Sequence, residues 1–337
     1  MGSGVKVLRT IIGQALRLGA PLVMGVALGV AQVQASHAQD EIRRIGFLSQ
    51  CYAAFDREAF ERGMRDLGYV EERNILITWR QFPDDVARLR SAADELVTSK
   101  VEVIVTCSTV ATRAAFDATK SIPIVFTGIA DPVASGVVAS IARPGTNATG
   151  VSVLVPELYP KRLDLLRQLA PSIRRVAFVV NLSSPGSALA VEPLQAAAKT
   201  LNIRLDVYDT RTEREVESAL RALSAASTDG VLIGGDTFVF SQAAKIARAM
   251  NKARLPAVFP WRTFHPYGAL MSYGPDPREI MRRAAWYVDK ILKGAKPGDL
   301  PVEQVSKMDL VIDLRVAREV GIQVPPELLY RADEVIR

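Results

Sequence analysis

Short apolar runs rich in β-branched residues alternate with helical patterns along this chain, and the alternation constrains its fold more than any other feature. Ile45 to Leu48 is typical of a buried strand, and Asp56 to Leu67 of an amphipathic helix. The order continues with strand Asn74 to Trp79, helix Asp84 to Thr98 capped by Asp84 or Asp85, strand Val101 to Thr106, helix Thr109 to Thr119 and strand Ile122 to Thr127. Strands and helices at this spacing predict an α/β fold whose parallel sheets are covered on both faces.

The same order of segments recurs in the second half of the chain. Arg174 to Val180 resembles the first strand, Gly230 to Gly234 the third, and Leu255 to Phe259 the next, again with proline near the start. The length of 337 residues also exceeds the roughly 250 to 300 residues at which a single core stops growing. We therefore expect two similar, doubly wound parallel-sheet lobes.

The first 38 residues have the composition of an export signal. Two arginines precede the apolar run Leu18 to Val33, and the small-residue pattern around Ala38 follows. The run is shorter than the about 20 residues of a membrane-spanning helix, so we expect a signal peptide, 1–38, cleaved near Ala38, and a protein free in the periplasm. A retained membrane tether is the alternative. Without this segment, 39 bases stand against 36 acids, and nucleic acid is not an expected partner.

Two cysteines remain in that oxidising compartment. Cys51 and Cys107 each follow an apolar run, so both are expected near strand ends in one lobe, where a disulfide is conceivable. Spacing alone leaves the pairing open. The alternative is a two-base racemase in which one thiol and one thiolate act on opposite faces of a substrate.

Ligands of open α/β sheets bind outside the carboxyl ends of the strands, which selects the loops to consider. Hydroxyl, amide, carboxylate and aromatic side chains occur in those loops and in the segment Met271 to Gly274. The candidate ligand-binding residues are Ser49, Tyr52, Ser108, Thr109, Asp131, Asn181, Ser183, Ser184, Asp236, Thr237, Trp261 and Tyr273.

The chemistry of these residues is that expected for binding an amino acid. Ser108 with Thr109, and Ser183 with Ser184, stand where helices begin and are suited to a carboxylate, although plain N-capping is an equal alternative. Asp131 and Asp236 are suited to an ammonium group. Asp131 precedes proline and is also a common turn residue, whereas Asp236 follows two glycines that permit close backbone approach.

Motifs of the common enzyme classes are not found. The chain has no phosphate-cradling loop, no dinucleotide fingerprint, no nucleophile elbow and no His-Glu-x-x-His. His265 is the only histidine after the signal segment, which excludes a multi-histidine metal site. We expect no catalytic residues, no metal and no cofactor, with an exported carboxylate-dependent enzyme as the alternative.

Several longer motifs resemble the ABC transporter substrate-binding protein family. They are the stretches Ile45 to Leu48, Leu67 to Ile75, Ile122 to Phe126, Asp131 to Val133, Ala142 to Gly150, Met271 to Gly274, Tyr287 to Pro297, Asp299 to Gln304 and Leu329 to Ile336. The resemblance covers nearly the whole chain after the signal segment.

The resemblance implies a type 1 periplasmic binding fold whose lobes close on a solute and deliver it to an ABC permease. It implies lobe 1 from residues 39–152 plus 275–298 and lobe 2 from 153–274 plus 299–337, with hinge crossings near Val151 to Leu154, Ser272 to Pro275 and Pro297 to Leu300. Relatives are associated with aromatic amino acids, and we expect a monomer. The alternatives are a receptor for an organic acid lacking an amine and a receptor that feeds a signalling kinase.

Overall fold

A computed structural model describes residues 42–51, 53–82, 85–153, 155–225 and 227–337. The predicted signal peptide and its cleavage site lie outside these ranges, as do Tyr52 and Asp84. The strands are β1 Arg43–Ser49, β2 Ile75–Gln81, β3 Val103–Cys107, β4 Ile124–Ile129, β5 Ala148–Ser152, β6 Arg175–Val180, β7 Arg204–Asp209, β8 Gly230–Ile233, β9 Ala257–Phe259, β10 Met271–Gly274, β11 Glu303–Gln304, β12 Asp309–Asp313 and β13 Glu334–Ile336.

Twelve α-helices connect or flank these strands within the described ranges. They are α1 Ala53–Asp66, α2 Arg88–Thr98, α3 Thr109–Ala118, α4 Val155–Leu169, α5 Pro185–Ala188, α6 Val191–Thr200, α7 Glu213–Ala225, α8 Thr237–Ser241, α9 Ala243–Lys252, α10 Pro277–Leu292, α11 Leu314–Val320 and α12 Pro326–Arg331. Residues Arg262–Tyr267 and Pro297–Asp299 form short 3₁₀ turns. Helix α2 begins later than expected, after Ala87 and without a side-chain cap, so the prediction of Asp85 as its cap is wrong.

The strands form two sheets with the same internal order, which confirms the predicted fold class. The first sheet runs β11-β5-β4-β3-β1-β2, and the second runs β13-β12-β10-β9-β8-β6-β7. In both, the first strand of the lobe lies between the second and third, and two further strands follow on the same side. The five strands that share this order are parallel to one another in each sheet. Strand β12 runs antiparallel to β10 and extends the second sheet.

Each sheet is buried on both faces because alternate side chains enter different cores. In β1, Ile45 and Phe47 pack into one apolar cluster and Leu48 into another. In β6, Phe178 and Val179 likewise enter opposite clusters. Continuous apolar runs are therefore required in these strands, which is why the sequence shows them without alternation.

Three crossings join the two lobes. The first lies between β5 and α4, and the second between β10 and α10, whose helix packs against α1 of the first lobe. The third lies between Gln304 and Asp309, later than the predicted crossing at Pro297 to Leu300 and beyond the predicted lobe boundary at residue 299.

Contacts of the segment before the third crossing explain the difference. Thr149 Oγ1 donates to the carbonyl of Leu300 at 2.7 Å, and Tyr287 Oη donates to the carbonyl of Pro301 at 2.6 Å. Glu303–Gln304 then pairs with β5 as an edge strand. These bonds hold residues 297–304 on the first lobe, and the chain crosses only afterwards.

Candidate functional site

A cavity of about 970 Å³ lies between the two lobes, at the carboxyl ends of their parallel strands. Its size is at the upper end of the about 300–1,000 Å³ typical of small-molecule sites. The first lobe contributes loops that follow β1, β3 and β4, and the second contributes loops that follow β6, β8 and β9. The two sets of loops follow equivalent strands, because the two sheets have the same strand order.

The first-lobe wall is cross-linked by a disulfide between Cys51 and Cys107, with Cα atoms 5.9 Å apart. Both cysteines line the cavity, and the backbone N–H of Gln50 donates to the carbonyl of Cys107 at 3.2 Å. The disulfide left open by the sequence is therefore formed. With both sulfurs bonded to each other, neither is a thiol or thiolate, which removes the basis of the racemase alternative.

Ser108 occupies an unusual position in this wall. Its φ of +94° lies in the region that disfavours residues with a side chain, at the junction of β3 and α3. Its Oγ accepts from the N–H of Ala111 at 3.2 Å and donates to Gln50 Oε1 at 3.1 Å. Strained backbone of this kind is concentrated at functional sites, where surrounding contacts hold it in place.

Asp236 is the buried acid of the second-lobe wall. Its carboxylate caps α8, with Oδ1 accepting from Val239 N–H at 2.9 Å and Oδ2 from Asn181 N–H at 3.3 Å. It forms no ion pair with any described residue, whereas the other cavity acid, Glu213, lies 3.8 Å from Lys245. Burial raises the pKa of Asp236 to about 6, although backbone N–H donors act against the rise. A carboxylate has further lone pairs, so Asp236 retains capacity to accept from a ligand.

Arg162, on α4, is the corresponding buried base. Its Nε donates to the carbonyl of Tyr273 at 2.8 Å and its Nη2 to that of Pro260 at 3.2 Å, and its guanidinium lies over the Tyr159 ring. Its helix neighbours Lys161 and Arg167 pair with Asp164, but Arg162 pairs with no acid in the described ranges. Burial lowers the pKa of Arg162, because a charge in the protein interior loses its hydration.

Aromatic side chains form part of the second-lobe wall of the cavity. Tyr159, Phe238 and Trp261 line the cavity, and Tyr159 is fully buried with its Oη accepting from Gly235 N–H at 2.7 Å. Thr263 also lines the cavity, and its buried Oγ1 has no hydrogen-bond partner among the described residues. The wall therefore combines apolar rings with a hydroxyl that a ligand is able to hydrogen-bond.

The structure places most of the predicted ligand-binding residues at this cavity. Those that line it are Ser108, Thr109, Asn181, Ser183, Ser184, Asp236, Thr237 and Trp261. Ser49 is instead fully buried, with its Oγ accepting from Cys51 N–H at 2.9 Å. Asp131 caps its own turn by accepting from the N–H groups of Val133 and Ala134, and Tyr273 lies in the hinge strand β10.

Sequence reasoning missed Tyr159, Arg162 and Gln50. The first two lie on a helix rather than in a loop after a strand, and Tyr159 reads as an ordinary core position. Gln50 directly follows β1 and, like its neighbour Ser49, is a polar residue at the carboxyl end of a parallel strand, which was the criterion for selecting Ser49. Because Ser49 is the last residue of that strand, it remains in the sheet.

Across the ranges that the structure describes, no helix combines the length and apolar character needed to cross a bilayer.

Comparisons with known proteins agree with this architecture. The chain is 27% identical over 315 residues to a tyrosine-binding protein of Clostridioides difficile (strain R20291), covering 89% of this chain and 90% of the relative. Its fold is similar to a conserved domain protein from Vibrio cholerae, with a TM-score of 0.82, 28% identity and coverage of 88% and 100%. A similar fold occurs in an ABC domain from Streptococcus pneumonia in complex with L-Trp, with a TM-score of 0.80, 23% identity and coverage of 87% and 99%.

The family model of the ABC transporter substrate binding protein matches residues 47–336, nearly all of the described chain. The model describes proteins that bind the substrates of ABC transporters. The two-lobed α/β fold and the interlobe cavity are consistent with the match. The chain belongs to the ABC transporter substrate binding protein family.

Proposed function

We propose that the protein captures an aromatic amino acid in the cavity between its lobes and delivers it to the permease of an ABC importer. The observation that carries this proposal is the pair of unmatched charges in one wall. Asp236 and Arg162 are both buried, and neither has an ion-pair partner among the described residues. An amino acid supplies both missing partners, an ammonium group and a carboxylate, and thereby offsets the cost of burying each charge.

The remaining contacts follow from the wall's composition. The ammonium group binds Asp236, and the carboxylate binds near Arg162 with help from hydroxyls such as those of Thr109 and Ser184. The side chain packs among Trp261 and Phe238. The relatives that bind tyrosine and L-Trp support a solute of this class. Export to the periplasm as a monomer after removal of residues 1–38 belongs to the same proposal and depends on the sequence of the signal segment.

The charge assignment is tested by calorimetry with ligands that lack one charge. L-tyrosine is compared with tyramine, which has no carboxylate, and with 3-(4-hydroxyphenyl)propionate, which has no amine. We expect Asp236→Asn to weaken binding of L-tyrosine by about 10- to 100-fold while leaving the propionate unaffected. Arg162→Gln is expected to weaken binding of L-tyrosine but not of tyramine.

Matched controls separate these effects from general damage. Arg167→Gln removes an exposed arginine from the same helix, and Asp229→Asn removes an acid that binds the backbone of Arg174 and Arg175 far from the cavity. Both variants should bind L-tyrosine as the wild type does. Binding of the propionate as tightly as L-tyrosine would instead support the receptor for an organic acid lacking an amine, and it would contradict the role given to Asp236.

A further inference from the structure

Trp261 and Arg262 connect the cavity wall directly to two of the three crossings. Trp261 lines the cavity, and its ring packs against Gly274, the last residue of β10 before the second crossing. A Cβ atom at Gly274 would lie 2.1 Å from the carbonyl oxygen of Pro260 and 3.2 Å from Trp261 Cδ1, so only glycine permits this approach. The cavity wall and the hinge strand are therefore in contact through this tryptophan.

The next residue, Arg262, extends toward acids at both crossings. Its Nη1 lies 3.8 Å from Asp276 Oδ2 and 3.8 Å from Asp309 Oδ2. Asp276 follows the second crossing and caps α10 of the first lobe, whereas Asp309 follows the third crossing and begins β12 of the second lobe. Its Nη2 pairs with Glu334 on β13. One guanidinium thus contacts the acids that flank two crossings.

The surrounding charges are balanced when Arg262 is present. Asp276 also accepts from Arg278, at 2.7 Å, and Asp309 Oδ1 lies 3.5 Å from Lys307 on the third crossing. Three acids therefore face three bases at this junction. Asp276 and Asp309 are each close to the same Nη1 atom and largely buried, so they repel each other if that cation is removed.

We propose that Arg262 is a positioning residue of the hinge, which holds the two crossings together and thereby sets how far the lobes open. Arg262 itself does not line the cavity. Its effect on the solute is indirect, since closure requires the crossings to return to the geometry that Arg262 stabilises. The expected effect on solute affinity rests on the proposed function, whereas the expected effect on the ligand-free protein does not.

The first test measures lobe opening without any ligand. Small-angle X-ray scattering of ligand-free Arg262→Gln should give a larger radius of gyration than the wild type, and Arg262→Lys should lie close to the wild type. Arg204→Gln, which removes an arginine paired with Asp206 at the far edge of the second sheet, is the matched control and should be unchanged. An unchanged radius in folded Arg262→Gln, judged by circular dichroism, would overturn the proposal.

The second test uses L-tyrosine as the probe. Arg262→Gln is expected to weaken binding by about three- to tenfold, chiefly through faster dissociation. Adding Asp309→Asn to Arg262→Gln removes the repulsion but not the loss of the shared cation, and it should restore affinity and radius in part. If L-tyrosine binds none of the proteins while the scattering differences remain, the proposed solute is wrong and the hinge assignment stands. If the second substitution restores neither property, the charge mechanism is refuted.

Discussion

The phenolic oxygen of Tyr159 accepts a hydrogen bond from the backbone N–H of Gly235 at 2.7 Å, and this bond joins α4 to the loop that carries Asp236. Tyr159 is 1% exposed, so no solvent replaces the bond if the hydroxyl is removed. Because the Tyr159 ring also lies beneath the guanidinium of Arg162, one side chain positions both unmatched charges of the cavity.

Tyr159→Phe should therefore reduce stability and affinity together. The unsatisfied N–H of Gly235 is expected to lower the free energy of unfolding by about 1–3 kcal/mol, measured by urea denaturation. Tyr330→Phe, at a tyrosine that is 92% exposed, is the control and should change neither property. A Tyr159→Phe protein as stable as the control would show that Gly235 finds another partner.

Removing the disulfide should destabilise the protein and loosen the first-lobe wall. The bond closes a loop with a sequence separation of 56, for which chain entropy predicts a contribution of about 4 kcal/mol. We expect Cys51→Ala/Cys107→Ala to unfold at lower urea concentration and to bind L-tyrosine more weakly, because Gln50 and Ser108 lose their covalent support. A reducing agent should shift the wild type toward the variant and leave the variant unchanged, and equal midpoints in all four samples would contradict this expectation.

The buried carboxyl of Asp236 should make stability rise as the pH falls. Its pKa is raised from 3.8 to about 6, so the stability that its protonation contributes is complete below pH 3.8 and is lost as the pH rises through about 6. Asp236→Asn keeps an N-cap side chain without the charge. We expect the difference in the free energy of unfolding between this variant and the wild type to move in favour of the wild type by about 1 kcal/mol from pH 7.5 to pH 5 in paired urea titrations. A constant difference would show that Asp236 does not titrate in this range.

His265 should act in the opposite direction. Its ring is buried, with Nε2 2.9 Å from Ser272 Oγ, and desolvation lowers its pKa from 6.5 to about 4. Between pH 6.5 and 4 the unfolded chain therefore binds a proton at this residue that the folded protein does not bind. The contribution of His265 to the free energy of unfolding should fall by about 2 kcal/mol from pH 7.5 to 5, against the smaller rise from Asp236. His265→Gln should lack this dependence, and a wild type that loses no more stability than this variant would contradict the assignment.

The sequence predicted the strands well because buried parallel strands are continuous apolar runs, as in β1 and β6. It placed the third crossing too early because Glu303–Gln304 is a polar, two-residue edge strand, and neither its length nor its composition distinguishes it from a loop. Proline and glycine at residues 297–301 suggested a hinge, but their contacts with Thr149 and Tyr287 lie far away in the sequence. Long-range pairing of this kind leaves no local pattern.

The candidate site was predicted only where its residues follow strands. Ser108, Asp236 and Trp261 occupy such positions, and the carboxyl ends of parallel strands meet at one edge of each sheet. Arg162 lies on a helix among other charged residues, and its burial depends on packing against β10 across the lobe. The antiparallel placement of β12 was likewise not evident, since strand direction depends on how the chain crosses between lobes.

The late third crossing also determines when each lobe is able to fold during synthesis. The first sheet obtains its last strand from residues 303–304, and helix α10 covers α1 only once residues 277–292 have left the ribosome. The first lobe, whose translation begins first, therefore stays incomplete until most of the second lobe has been translated. Neither lobe exists as one continuous stretch of chain, so a fragment cut after Ser152 lacks an edge strand and a covering helix, and it exposes apolar surface that the whole protein buries.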